Sequence, residues 1–69
     1  MQRQLHDETK LEMALRHVRE AEEKVAHQER IVRELQAHGH DSTQAEKLLM
    51  NFREILDIAR AHLALERQE

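Results

Sequence analysis

The sequence predicts an all-α fold, an antiparallel hairpin of two coiled-coil-like helices. Its abundant Ala, Leu, Glu, Arg and Gln, its lack of proline and its single glycine are typical of long helices. Apolar residues recur at helical spacing on both sides of that glycine, Gly39. We therefore expect residues 1–69 to form one domain, with a helix over 4–38, a turn at 39–41 and a helix over 42–67.

The size of the chain predicts self-association. A chain of 69 residues supplies little core, and such small domains usually depend on disulfides, metals or oligomerisation. There is no cysteine, so disulfides and thiolate metal sites are excluded. We expect a homo-oligomer, with a dimer favoured.

Charge and hydropathy narrow the classes of partner. The formal net charge is −3, so the chain as a whole does not attract nucleic acid or anionic lipid. No apolar run approaches 18 residues, and no apolar stretch follows the first residues as it would in a signal peptide. We expect a cytoplasmic protein without a membrane partner.

The first helix has one apolar side and one polar outlier within it. Gln28 is the outlier, and oppositely charged residues four apart cover the outer surface, contributing about 0.2–0.5 kcal/mol per pair. The heptad positions a and d are filled by Leu11, Ala14, Val18, Ala21, Val25, Gln28, Val32 and Leu35.

The turn contains a helix stop followed by a helix start. Gly39 fits the left-handed residue that ends a helix, because it has no Cβ to clash at positive φ. Asp41 or Ser42 can cap the next helix through a side-chain oxygen. So short a connection requires the helices to be antiparallel neighbours. Two candidate capping boxes are present, Asp41 with Gln44 and Thr43 with Glu46.

The second helix is apolar on more than one side. With the pivot at Gly39-His40, Gln28 is expected opposite Phe52, and the stripe facing the first helix leaves further apolar residues uncovered. A homodimeric four-helix bundle would bury them. The residues expected at the interfaces are Val18, Val25, Val32, Leu48, Leu49, Phe52, Ile55, Leu56, Ile58, Ala59, Leu63 and Leu65.

The histidines offer an alternative role in metal binding or pH sensing. His38, His40 and Asp41 form a compact set of Zn²⁺- or Ni²⁺-type ligands, although solvated loop residues with Asp41 as a cap explain the pattern better. His62 borders the apolar stripe, where its titration would make assembly pH-sensitive. We expect no bound metal or cofactor.

A second alternative is nucleic-acid binding by a dimeric hairpin, an architecture shared with small plasmid RNA-binding proteins. One flank of the first helix carries several arginines, but glutamates alternate with them and stacking aromatics are absent. This alternative is therefore disfavoured. The arginines are Arg16, Arg19, Arg30 and Arg33.

No catalytic set is visible in the sequence. There is no cysteine nucleophile and no glycine-rich phosphate loop, and two helices form little concave surface for a substrate. We expect a non-enzymatic protein, a self-associating helical interaction module that acts as an adaptor or regulator.

Two stretches resemble short uncharacterised helical-hairpin proteins of alphaproteobacteria. One is the run over 16–35; the other is the turn over 39–49, written G-H-D followed by T-x-A-E-x-L-L. The resemblance implies a bacterial cytoplasmic hairpin. It implies no particular activity, because the shared motif consists of a helix stop and a cap.

Overall fold

The computed structural model describes residues 8–68 and confirms the two-helix hairpin. Helix α1 spans Lys10–Ala37 and helix α2 spans Thr43–Arg67. The helices pack against each other along their length, and no strand occurs among the described residues.

The first helix begins later than the sequence predicted. Thr9 has extended backbone angles, φ −71° and ψ 164°, and α1 begins at Lys10, so Glu8 and Thr9 are not helical. The predicted start at residue 4 is therefore corrected for these two positions, and residues 4–7 lie outside the described part. At its other end α1 stops at Ala37, one residue before the predicted end, and α2 begins at Thr43, one residue after the predicted start.

A capping box fixes the start of α1. The Thr9 hydroxyl oxygen accepts a hydrogen bond from the Glu12 N–H at 3.0 Å, and the Glu12 carboxylate accepts one from the Thr9 N–H at 2.9 Å. Two backbone donors that the helix cannot satisfy itself are thus paired. Such a cap stabilises a helix by about 1 kcal/mol.

The helix stop at Gly39 is confirmed. Gly39 has φ 72°, the only positive φ among the described residues. The His40 N–H donates to the Leu35 carbonyl at 2.8 Å and the Gly39 N–H donates to the Gln36 carbonyl at 3.1 Å. These two bonds form a Schellman motif, which ends α1 and turns the chain back.

Asp41 rather than Ser42 supplies the side-chain cap of α2. The Asp41 carboxylate accepts from the Thr43 hydroxyl at 2.7 Å and from the Thr43 N–H at 3.0 Å. Ser42 occupies the cap position, but with φ −103° and ψ 9° it makes no side-chain cap bond. Its hydroxyl donates to the Glu46 carboxylate, which also accepts from Gln36.

Both predicted capping boxes at the start of α2 are therefore wrong. The Asp41 carboxylate is taken by Thr43 instead of by the backbone of Gln44. The Glu46 carboxylate turns towards the last turn of α1. It thereby ties the end of α1 to the start of α2 across the turn.

One seam of small and medium apolar residues holds the helices together. Its polar member, Gln28, is buried and donates from its amide to the Ala45 carbonyl at 3.0 Å. Phe52, the predicted neighbour of Gln28, has no acceptor for a buried amide, so the amide is satisfied by the backbone of α2 instead. The buried apolar residues are Ala14, Ala21, Val25, Val32, Leu49, Leu56 and Leu63.

We predict that Gly39→Ala lowers the free energy of unfolding by about 1–2 kcal/mol, because an L-residue is strained at positive φ. A Cβ added at Gly39 meets no atom within 4 Å, so the cost arises from the backbone and not from a clash. Gly39→Asn is the matched control, since asparagine tolerates the left-handed region and this variant should lose less of the free energy of unfolding. Urea unfolding followed by circular dichroism measures both, and equal stability of the alanine variant and the unaltered protein would contradict the assignment.

Candidate interaction surface

The two flanks of the hairpin, on either side of the seam, differ in chemistry. On one, which we call the polar flank, Arg53 pairs with Glu29 at 3.0 Å and Arg60 pairs with Glu22 at 3.5 Å. These pairs join α2 to α1 across the edge of the seam. They are half exposed, and each contributes up to about 1 kcal/mol.

The other side, which we call the open flank, carries no ion pair between α1 and α2 in the described part of the chain. A groove runs along it between the helices. From α1 the groove is lined mainly by charged residues and histidines, and from α2 by aliphatic ones. The large aliphatic lining residues from α2 are Leu48, Ile55 and Ile58.

Helix α2 carries a second apolar row on the open flank. The row follows the same alternating spacing of three and four residues as the seam and lies about 100° around the helix axis from it. Ile55, Ile58 and Leu65 are 53, 69 and 64% exposed. The row consists of Leu48, Asn51, Ile55, Ile58, His62 and Leu65.

The structure divides the predicted interface residues into three groups. The first is buried within the hairpin itself and comprises Val25, Val32, Leu49, Leu56 and Leu63. The second is half-buried beside the seam and comprises Val18, Phe52 and Ala59. The third is exposed and comprises Leu48, Ile55, Ile58 and Leu65. Only the third group keeps a large exposed surface for a partner.

Two of the three candidate metal ligands in the turn, His38 and Asp41, are engaged in hydrogen bonds at the helix ends. The His38 Nδ1 lies 2.8 Å from the Glu34 carbonyl oxygen, at the end of α1. The Asp41 carboxylate caps α2, and its hydrogen bonds from the hydroxyl and then the N–H of Thr43 hold the pKa of Asp41 below its ordinary value. Across residues 8–68, no three His, Asp or Glu side chains are grouped to hold a metal ion.

His62 lies on the open flank. Its Nε2 is 3.2 Å from the Glu66 carboxylate, one turn along the same helix. His17 of α1 lines the groove with it. Neither position was part of the turn cluster that the sequence singled out for metal binding.

The predicted arginine flank is partly neutralised. Arg16 donates from Nε and Nη2 to both carboxylate oxygens of Glu8 at 2.9 Å, and from Nη1 to Glu20 at 3.3 Å. These bonds, first to Glu8 and then to Glu20, raise the pKa of Arg16 above its ordinary value. A guanidinium with these partners is less available to a phosphate.

The fold and the open flank define the class of this protein as an all-α two-helix hairpin. No protein-family model matches the chain, and no curated protein or solved structure shows significant similarity to it. The resemblance to alphaproteobacterial hairpins thus remains a prediction. Neither described helix is long and apolar enough to cross a bilayer.

We predict that Asp41→Asn removes an acid-dependent part of the stability. Because the pKa of Asp41 is lowered in the folded state, its ionised form stabilises the fold above about pH 4, the unfolded value, and this contribution fades as the pH falls through the lowered pKa. Asparagine keeps an acceptor oxygen but does not titrate. The melting temperatures of the variant and of the unaltered protein should differ more at pH 7 than near pH 2.5. A difference in melting temperature that is the same at both pH values would refute the role of the charge.

Proposed function

We propose that this chain is a non-enzymatic helical interaction module that self-associates through its open flank and acts as an adaptor or regulator. Two hairpins packed flank to flank form a four-helix bundle. The main observation in support of self-association is the chemical difference between the two flanks. One is spanned by ion pairs from α1 to α2, and the other presents a row of exposed aliphatic side chains.

Burying this row offsets the cost of association. Complete burial of one Leu or Ile side chain is worth about 1.5–3 kcal/mol. Leu48, Ile55, Ile58 and Leu65 are between 41 and 69% exposed, so burying the part that remains exposed on two chains supplies a gross gain on the order of 10 kcal/mol. That gain is comparable with the cost of association, about 4–15 kcal/mol.

The area of the flank supports the same proposal. Helix α2 has 25 residues, which gives a length of about 37 Å at 1.5 Å per residue. Two helices side by side are roughly 20 Å wide. The resulting face of about 700 Å² is close to the roughly 800 Å² per partner of a standard protein interface.

The hydroxyl side chains support a role without catalysis. The Thr9 oxygen accepts from the backbone, the Thr43 hydroxyl donates to Asp41 and the Ser42 hydroxyl donates to Glu46. Each one is engaged in the hydrogen bonds of a helix end. Among the described residues, none of the three shares the hydrogen bond with an imidazole base that a serine-type nucleophile requires.

We predict that Ile58→Glu converts a dimer into a monomer without unfolding the hairpin. Ile58 is 69% exposed in the hairpin, so the substitution costs little there, whereas the bundle would bury two carboxylates among aliphatic side chains without a cationic partner. Met50→Glu is the matched control, because Met50 is 62% exposed on α2 but lies outside the open flank. Size-exclusion chromatography with light scattering measures the masses, and circular dichroism checks the helix content.

The expected result is a monomeric Ile58→Glu variant and a dimeric Met50→Glu variant, both fully helical. Equal masses for the two variants would contradict the open flank as the interface. A helix content that falls only in the Ile58 variant would show that the residue supports the hairpin itself.

A further inference from the structure

The row on α2 reads the same from either end. In chain order its members are apolar, polar, apolar, apolar, polar and apolar. A palindrome of this kind matches itself when two copies run antiparallel, because Leu48 then meets Leu65 and Ile55 meets Ile58. The polar members are matched too, since Asn51 meets His62 and an amide and an imidazole can hydrogen-bond.

The open flank of α1 carries a second palindrome. Its row has the same spacing of four and three residues, and its ends are the apolar Met13 and Ile31. Within these ends lie two histidines, and at the centre lie an acid and a base, Glu20 and Lys24. The full row is Met13, His17, Glu20, Lys24, His27 and Ile31.

Antiparallel pairing of this row with its own copy brings opposite charges together. Glu20 of each chain then faces Lys24 of the other, twice in one dimer. Met13 faces Ile31 in the same register. The α1 row is thus self-complementary in charge, and the α2 row is self-complementary in polarity.

Both palindromes are centred at the same level of the hairpin. The central pair of α1, Glu20 and Lys24, and the central pair of α2, Ile55 and Ile58, line one stretch of the groove. A single two-fold axis through this stretch therefore satisfies both rows at once.

We propose that a second copy of this chain docks on the open flank with its turn at the opposite end. The two-fold axis is perpendicular to the helices, and it brings α1 against α1 and α2 against α2, both antiparallel. This inference rests on the proposed self-association and adds its orientation and register.

The arrangement with both turns at the same end fits the chemistry less well. It lays α1 of one hairpin along α2 of the other. Glu20 and Lys24 would then be pressed against Ile58 and Ile55. Glu20 would keep only its own chain's Arg16 as a partner, and the Lys24 ammonium would lose water without gaining a carboxylate from the other chain. The opposite-end arrangement separates an apolar contact between the α2 helices from a charged contact between the α1 helices.

Disulfide exchange tests the orientation, and the natural absence of cysteine makes single-cysteine variants unambiguous. Leu48→Cys and ¹⁵N-labelled Leu65→Cys are mixed in a glutathione redox buffer, and the linked dimers are weighed by mass spectrometry. In the opposite-end dimer, residue 48 of one chain lies level with residue 65 of the other, whereas the two copies of residue 48 are about 25 Å apart. The mixed dimer should therefore far exceed the one-half share that random pairing gives.

The control mixture is Met50→Cys with Leu65→Cys, in which the mixed dimer should stay at the random share. If the unaltered protein sediments as a dimer but the mixed 48–65 link does not exceed that share, the orientation is overturned and the self-association stands. If the unaltered protein sediments as a monomer, the proposed function fails together with the orientation.

Discussion

Two packed helices can bury only the sides that face each other, and this constraint governs the rest of the structure. Helix α1 can bury its apolar heptad positions in this way, because they lie along one seam and its remaining surface is mostly charged. Helix α2 cannot bury all of its apolar surface, because it carries one apolar row in the seam and another about 100° away. Neighbouring helices in a four-helix bundle are arranged at about this angle, so α2 has the surface of a helix with two neighbours.

The reversal of the chain decides which surface is left open. The Schellman motif at Gly39 and the cap at Asp41 leave only a few residues between the helices. The helices therefore lie side by side in a fixed register, and the Glu46 carboxylate joins their ends at the turn. Ion pairs then span one edge of the seam. The remaining edge is where charge and hydropathy repeat in a two-fold pattern.

Local chemistry made the hairpin predictable from the sequence. A lone glycine in a helical pattern predicted the stop, and the heptad positions predicted Val25, Val32 and the buried Gln28. The start of α1 was misplaced because the apolar pattern was followed past the cap, although Thr9 and Glu12 have the spacing of a capping box.

Other features depend on the packing of the two helices and could not be predicted. The acceptor for Gln28 is a backbone carbonyl of the other helix, which no side-chain pattern indicates. The ion pair between Arg53 and Glu29 depends on which edge of the seam each residue occupies. The open flank could not be predicted for the same reason. The sequence shows that α2 is apolar on two sides, but it does not show which of these sides α1 covers.

Sedimentation equilibrium of the unaltered protein over the micromolar range is the direct test of self-association. The chain has a mass of 8.2 kDa, and we expect twice that mass across the range, with dissociation only on strong dilution. A constant mass of 8.2 kDa would contradict it. The exposed row of α2 would then lack the partner for which its spacing is suited.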